Sequence, residues 1–164
     1  AVWTCAMAYR DPNCRVTAVD HPVALEAATS TANSIGLKDR FHTIAADPFN
    51  VDLRESAYDW VVIAQRISSM GLQQAEEFLK SAVKYLKPSG KLVLIDLVEI
   101  GGKPALGDRV ESLRLKLATK NGSVLSPEGI KNLLTNAGLT DCQFALLSKG
   151  HSKIGVAVAT RMNE

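Results

Sequence analysis

The chain has 164 residues, 46% of them hydrophobic and 22% charged, with a net charge of +2. This length predicts one domain over residues 1–164 with its own core. The weak net charge argues against nucleic-acid and membrane partners, and no apolar run is long enough to span a bilayer. Cys5, Cys14 and Cys142 are odd in number and lack metal-ligand spacing, so we expect no disulfide, no metal site and a cytoplasmic location.

The first part of the chain alternates strand-like and helix-like runs, which predicts a mostly parallel sheet. A helix over residues 2–9 ends at the turn Asp11-Pro12-Asn13, and His21-Pro22 opens a second helix that Gly36 closes. Strands are predicted over residues 15–20, 41–47 and 58–65. Because Trp60-Val61-Val62-Ile63-Ala64 is apolar on both faces, we expect the third strand to be central in the sheet.

The second part has the clearest helical periodicity. An apolar stripe from Leu72 to Leu86 predicts a helix over residues 72–87, ended by Pro88-Ser89-Gly90 and followed by a strand over 91–96. Leu106, Val110, Leu113 and Leu117 mark another helix. Ser126 begins and Gly138 ends the last helix. The short link 149–152 makes the final two strands, 142–148 and 153–161, antiparallel.

Two acids follow apolar runs in the first part of the chain. Asp20 ends one predicted strand and Asp47 ends the next, so both belong at the carboxyl edge of the sheet, where α/β proteins bind ligands. One carboxylate can accept both hydroxyls of a ribose, and the other can accept a purine amino group. The alternatives are that Asp20 caps the following helix and that Asp47 only stabilises a turn.

In these motifs the chain resembles the class I S-adenosylmethionine-dependent methyltransferases, and most of all the small-molecule O-methyltransferases of the acetylserotonin and plant phenolic type. The resemblance covers nearly the whole chain, and it implies a Rossmann-like α/β sandwich whose mostly parallel sheet ends in an antiparallel hairpin. The segments that carry it are residues 15–22, 36–40, 46–49, 58–62, 86–92, 125–128 and 137–139.

The resemblance also implies a cofactor site. S-adenosylmethionine would place its ribose at Asp20 beside His21, and its adenine at Asp47, Pro48 and Phe49. Ala64 and Gln65, at the end of the strand that corresponds to the family's fourth, complete the predicted cofactor-binding set. The catalytic residues are left unassigned.

The sequence departs from the family pattern in two places. The family's first strand and its glycine-rich turn are missing, so we expect a strand from upstream of Ala1 or from a partner segment, with a homodimer as one possibility. Ser68 occupies the position of the catalytic histidine in plant-type enzymes, and serine is a poor general base unless it is activated. His21, His42 and His151 are each interpreted as non-catalytic.

Together these features predict transfer of a methyl group from S-adenosylmethionine to a small molecule, through a hydroxyl acceptor. Two other hypotheses stay open at this point. One is a methyltransferase-like domain that binds partners without catalysis, because the turn and the histidine are both missing. The other is a nucleotide-dependent oxidoreductase, against which the terminal hairpin and Asp47-Pro48-Phe49 argue.

Overall fold

The computed structural model of the chain describes residues 2–101, 106–147 and 153–163. It divides into two compact units, unit 1 over Ala1–Leu53 and unit 2 over Arg54–Glu164, and each is described by itself. Among the described residues, none of the helices combines the length and the apolar content that crossing a bilayer would require. The prediction of a single domain over residues 1–164 stays a prediction.

Unit 1 is a βαβ arrangement preceded by a helix. Strands β1 and β2 are parallel, and their register runs from Val16 opposite Phe41 to Asp20 opposite Ala45. A short 3-10 turn, Lys38–Arg40, leads into β2. The elements are α1 (Val2–Arg10), β1 (Val16–Asp20), α2 (Pro22–Ser34) and β2 (Phe41–Ala45).

The core of unit 1 forms where both helices cover the two strands. Its buried side chains are Cys5, Ala8, Val16, Ala32, Leu37 and Phe41. Gly36 adopts a φ of 75°, the left-handed conformation that ends helices, as the sequence predicts. Arg40 donates through Nη1 to the carbonyl oxygens of Ala8, Asp11 and Cys14, at 2.8, 3.0 and 3.0 Å, so it fixes the link between α1 and β1.

Unit 2 is a four-stranded mixed sheet with the strand order β3-β4-β6-β5. Strands β3 and β4 are parallel, whereas β6 runs antiparallel to both β4 and β5. The strands are β3 (Tyr58–Ala64), β4 (Leu86–Leu97), β5 (Leu139–Leu147) and β6 (Ile154–Arg161). The helices are α3 (Leu72–Val83), α4 (Leu106–Ala118) and α5 (Pro127–Asn136).

The end of unit 2 follows the sequence prediction closely. Ser126 is the N-cap of α5, and its Oγ accepts the Gly129 N–H at 3.1 Å. Gly138 follows the helix with a φ of 89°. The predicted antiparallel pairing of the last two strands is confirmed, although residues 148–152, which include the whole predicted link and His151, lie outside the described residues.

The predicted helix over 72–87 is too long. Helix α3 ends at Val83, and Leu86 already pairs with Tyr58 as the first residue of β4. The next strand pair is Trp60 with Lys91, so the intervening residues of β4 bulge out of the ladder. Leu86 satisfies the helical stripe but is fully buried as a strand residue, because helical and strand periodicities overlap at the end of a stripe.

The expected single sheet is also wrong in detail. Six strands are present among the residues that the structure describes, but they form a two-stranded and a four-stranded sheet. Within the described residues β3 pairs with β4 alone, so it is an edge strand and not a central one. Trp60 is accordingly 45% exposed, with Lys91 Nζ 5.5 Å from its ring centre. An apolar run predicts a buried strand, but the pairing depends on a neighbour that local sequence does not reveal.

Candidate functional site

The carboxyl ends of β1 and β2 bring the two predicted acids onto neighbouring strands. Asp20 is the last residue of β1 and pairs with Ala45, the last residue of β2. The ladder continues one step further, because the Ala46 N–H donates to the Asp20 carbonyl at 3.2 Å. Asp47 is the next residue. This edge of a parallel pair is where α/β proteins bind ligands.

Asp20 does not cap the following helix. The N-cap of α2 is His21, in an extended conformation and without a side-chain cap hydrogen bond, and Pro22 occupies the first helical turn. Asp20 Oδ1 accepts the His21 N–H at 2.8 Å. Among the described residues no donor is bonded to Oδ2, and the side chain is half-exposed, so this carboxylate can accept hydrogen bonds from a ligand.

Asp47 does organise a turn, as the alternative interpretation proposed. Its Oδ1 accepts the Phe49 N–H at 3.1 Å, and its Oδ2 accepts from Asn50 Nδ2 at 3.1 Å. The Asn50 N–H also donates to the Asp47 carbonyl at 3.0 Å. Each carboxylate oxygen has a second lone pair, and Asp47 is exposed, so the turn leaves acceptor capacity for a ligand.

The neighbours of these acids offer both polar and apolar contact. His21 is exposed, whereas Pro48 and Phe49 are half-buried beside the Asp47 turn. His42 lies exposed near the amino end of β2, away from the carboxyl end that leads to Asp47. The predicted binding role of His21, Pro48 and Phe49 stays a prediction.

In unit 2, Ala64 and Gln65 lie at the carboxyl end of β3. Ala64 ends the strand, and Gln65 follows with a φ of 52°, a left-handed conformation that is uncommon outside glycine. The Gln65 N–H donates to the Ile95 carbonyl at 2.7 Å, which holds this conformation in place. Strained residues of this kind concentrate at functional sites, but Ser56, Ser89 and Asp141 share the conformation, so the observation alone assigns no role.

A buried carboxylate fixes the segment after β3. Asp96, only 3% exposed, accepts the Ser68 N–H through Oδ2 at 3.0 Å and the Leu97 N–H through Oδ1 at 2.7 Å. Ser68 is 5% exposed, and its carbonyl accepts the Ser123 N–H at 2.9 Å. Sequence reasoning missed Asp96, although the signal was the one used for Asp20: an acid that ends an apolar run.

A cavity of about 310 Å³ opens where β4 ends, on the side of α4. Its lining is mainly apolar around β4, with charged groups contributed mostly by α4. Asp108 Oδ2 and Lys153 Nζ, both lining residues, are 3.4 Å apart. The lining residues are Leu97, Val98, Glu99, Ile100, Asp108, Arg109, Glu111, Ser112, Leu113, Lys116, Val124 and Lys153.

The fold and these strand ends define a class of protein. The chain has parallel strands with helical crossovers, acids at the carboxyl ends of strands and an antiparallel terminal pair. This combination is typical of Rossmann-like α/β proteins that bind a nucleoside cofactor. The family match makes this more definite: a methyltransferase-domain family matches residues 1–90, more than half of the chain. The chain belongs to this methyltransferase-domain family, and the predicted resemblance is confirmed at that level.

Solved structures extend the similarity to nearly the whole chain. A protein described as an O-methyltransferase from Nostoc punctiforme is 25% identical, with a TM-score of 0.88 over 98% of this chain and 49% of its own. The S-adenosylmethionine-dependent methyltransferase SibL, crystallised in its apo form, is also 25% identical, with a TM-score of 0.81 over 99% and 48%. Human N-acetylserotonin methyltransferase, crystallised with SAM, shares the fold at 22% identity, with a TM-score of 0.74 over 95% and 43%.

These TM-scores, which apply to nearly the whole chain, confirm the predicted Rossmann-like fold class. The coverages of the matched proteins show that the chain spans about half of their length. A curated relative, the bifunctional purine biosynthesis protein PurH of Streptococcus pneumoniae, is 34% identical over 80 residues. That match covers 46% of this chain but only 16% of the relative, so it carries no function to the chain.

Proposed function

We propose that the protein transfers a methyl group from S-adenosylmethionine to a hydroxyl of a small molecule. The observation that carries the proposal is Asp20: it ends a parallel strand beside the Asp47 turn, it does not cap α2, and Oδ2 is bonded to no donor among the described residues. Family membership supplies the reaction class. The solved structures described as O-methyltransferases support the hydroxyl acceptor.

The residues of unit 1 fit the nucleoside part of this cofactor. A ribose presents two adjacent hydroxyl donors, and an ionised carboxylate accepts both. Asp47 offers acceptor oxygens for an adenine amino group, with the half-buried Phe49 and Pro48 as apolar surface for the ring. When bound, S-adenosylmethionine supplies an electrophilic methyl group. In unit 2, Ala64 and Gln65 are proposed as further cofactor-binding residues because they end a parallel strand.

The cavity at the end of β4 is the proposed acceptor site. Its volume of about 310 Å³ suits a small molecule, and its combination of apolar and charged lining residues suits an amphipathic one. No residue is assigned as a general base. The chain would act mainly by orienting the acceptor hydroxyl, because positioning alone accounts for a large share of many barriers.

The proposal also includes the cellular location of the protein and a partner segment. The three cysteines are free, which supports a reducing, cytoplasmic location. Among the described residues, β1 pairs with β2 alone and β3 with β4 alone, so each leaves a free edge. A strand from a partner segment, within a homodimer or otherwise, would satisfy the backbone groups of such an edge.

The decisive experiment is calorimetric titration of the intact protein with S-adenosylmethionine. Asp20→Ala should weaken binding by roughly ten- to a hundredfold, because it removes charge-assisted hydrogen bonds worth about 1.5–3 kcal/mol. Asp39→Ala is the matched control, since Asp39 is an exposed acid of the same unit that lies outside the proposed site. We expect the control to bind as the wild type does.

Equal affinity of the wild type and Asp20→Ala would refute the assignment of Asp20. Binding of the cofactor without methyl transfer to any hydroxyl-bearing small molecule would instead favour a domain that binds without catalysis. The two results separate the cofactor site from the reaction.

A further inference from the structure

Helix α4 is amphipathic, but its apolar face points to solvent. Four side chains recur along one stripe, and all are largely exposed: Leu106 by 79%, Val110 by 54%, Leu113 by 58% and Leu117 by 80%. A stripe of this kind normally faces the core of its own domain. Here it is unpartnered within the part of the chain that the structure describes.

The opposite face of α4 packs on unit 2, and it is mostly polar. Leu115 is the one fully buried side chain of the helix. Asp108, Glu111 and Ser112 are partly buried on the same side, and Asp108 pairs with Lys153 at 3.4 Å. These contacts turn the Leu115 face of α4 toward unit 2 and leave the apolar stripe on the surface.

The stripe has the spacing of a coiled-coil seam. Its residues are separated by four, three and four positions, which is two apolar residues in every seven. This seam is narrower than the face that packs a helix onto a globular core. Such spacing suits one further helix, whose side chains would fit between those of the seam.

The charged residues beside the seam indicate what charge a partner helix would carry. Arg109, Arg114 and Lys116 flank it in the positions next to the apolar residues, and all three are exposed. Arg114 pairs with Glu111 at 2.8 Å but remains 63% exposed. The acids of the helix lie on its other face, so the charged residues that flank the seam are all basic.

Uniformly basic flanks disfavour a second copy of this chain. Flanking residues of paired helices meet across the seam in both parallel and antiparallel arrangements, so two copies of α4 would oppose Arg and Lys to each other. A lipid surface fits less well, because the helix has no aromatic residue and its apolar face is only the four-residue seam. A helix with acidic flanks is complementary in both shape and charge.

We propose that the α4 seam binds a partner helix whose apolar seam is flanked by Glu or Asp. The inference does not rest on the proposed reaction. Leu113, Arg109 and Lys116 also line the cavity at the end of β4, whereas Val110 and Leu117 do not. The test therefore changes the latter two, which are exposed and contribute little to folding.

The probe is a designed peptide of about 21 residues, three heptads, with Leu at the seam and Glu at the flanks. Its binding to the intact protein is measured by fluorescence anisotropy at neutral pH. We expect the double variant Val110→Asn/Leu117→Asn to weaken binding at least about tenfold, the scale of losing central apolar contacts. A peptide with Lys at the flanks should bind at least about tenfold more weakly to the wild type.

Leu72→Asn is the matched control, because Leu72 is an exposed leucine on α3, 59% accessible. It should bind the Glu peptide as the wild type does. Failure of the Glu peptide to bind, equal binding of the two peptides, or unchanged binding by the double variant would each overturn the proposal. If the double variant instead abolishes self-association in sedimentation, or binding to phosphatidylserine vesicles, while neither peptide binds, the seam belongs to a second copy or to a membrane.

Discussion

At the scale of single residues, three acids at strand ends have three different roles. Asp20 keeps an oxygen available beside the first turn of α2. Asp47 uses both oxygens to hold its own turn, and Asp96 is buried and ties Ser68 to the end of β4. The same sequence pattern precedes all three, so only their hydrogen bonds distinguish a proposed ligand contact from a structural one.

Ser68 gives a prediction at this scale. The resemblance to plant-type enzymes predicts that Ser68 stands at the position of their catalytic histidine. The residue is 5% exposed, and its main chain bonds Asp96 and Ser123. Ser68→Ala keeps those main-chain bonds, so methyl transfer should stay within about tenfold of the wild type, whereas losing a general base costs about 10²–10⁴-fold. Initial rates at saturating cofactor measure this. A thousandfold fall with unchanged cofactor affinity would show that the hydroxyl takes part in the chemistry.

At the scale of elements, the loop after α4 is packed tightly against the turn after β3. The Gly122 N–H donates to Thr119 Oγ1 at 3.0 Å, and the adjacent Ser123 N–H donates to the Ser68 carbonyl. A methyl group on Gly122 would lie 2.7 Å from that same carbonyl oxygen. Glycine is therefore required here for close approach of two backbone segments, and not for an unusual φ.

Gly122→Ala is accordingly expected to lower the free energy of unfolding by about 1–3 kcal/mol, the usual cost of forcing extra volume into a packed site. Urea unfolding followed by circular dichroism measures the change. Gly101→Ala is the control, because a methyl group there meets no atom within 4 Å. Equal stability of the two variants would mean that the loop can move away from Ser68 at no cost.

At the scale of the whole molecule, each unit has its own buried core and its own sheet. Cys5 lies in the buried core of unit 1 and is only 2% exposed. Burial raises the pKa of the Cys5 thiol, because the thiolate loses its hydration there. The free energy of unfolding therefore depends on pH in the alkaline range.

The sign of this linkage follows from the direction of the pKa change. The folded state holds the thiol proton more tightly than the unfolded state, whose thiol titrates near pH 8.5. The contribution is therefore complete below about pH 8.5 and declines as the pH rises toward the higher folded pKa. We expect the wild type to lose more stability between about pH 7.5 and 9.5 than Cys5→Ala does, measured by urea unfolding.

Val16→Ala is the control for the lost volume, since Val16 is buried in the same cluster and does not titrate. It should be less stable than the wild type at every pH but show the same pH dependence. The linkage is disproved if Cys5→Ala retains the slope of the wild type.

The sequence by itself determined the kind of each element, the ends of α2 and α5 and the antiparallel terminal pair. It also determined the family and the β1 strand end that carries Asp20, although β2 ends at Ala45, two residues before Asp47. These depend on local periodicity, caps and turns, which neighbouring residues encode. Only the tertiary structure decided that Leu86 belongs to β4 and that β3 is an edge strand among the described residues. It also decided that Asp96 is buried and accepts a hydrogen bond from the Ser68 N–H. It also decided that the α4 seam faces outward, because a periodic stripe defines a face of a helix but not what covers it. Pairing, burial and helix orientation depend on residues distant in the chain, and a local pattern cannot specify them.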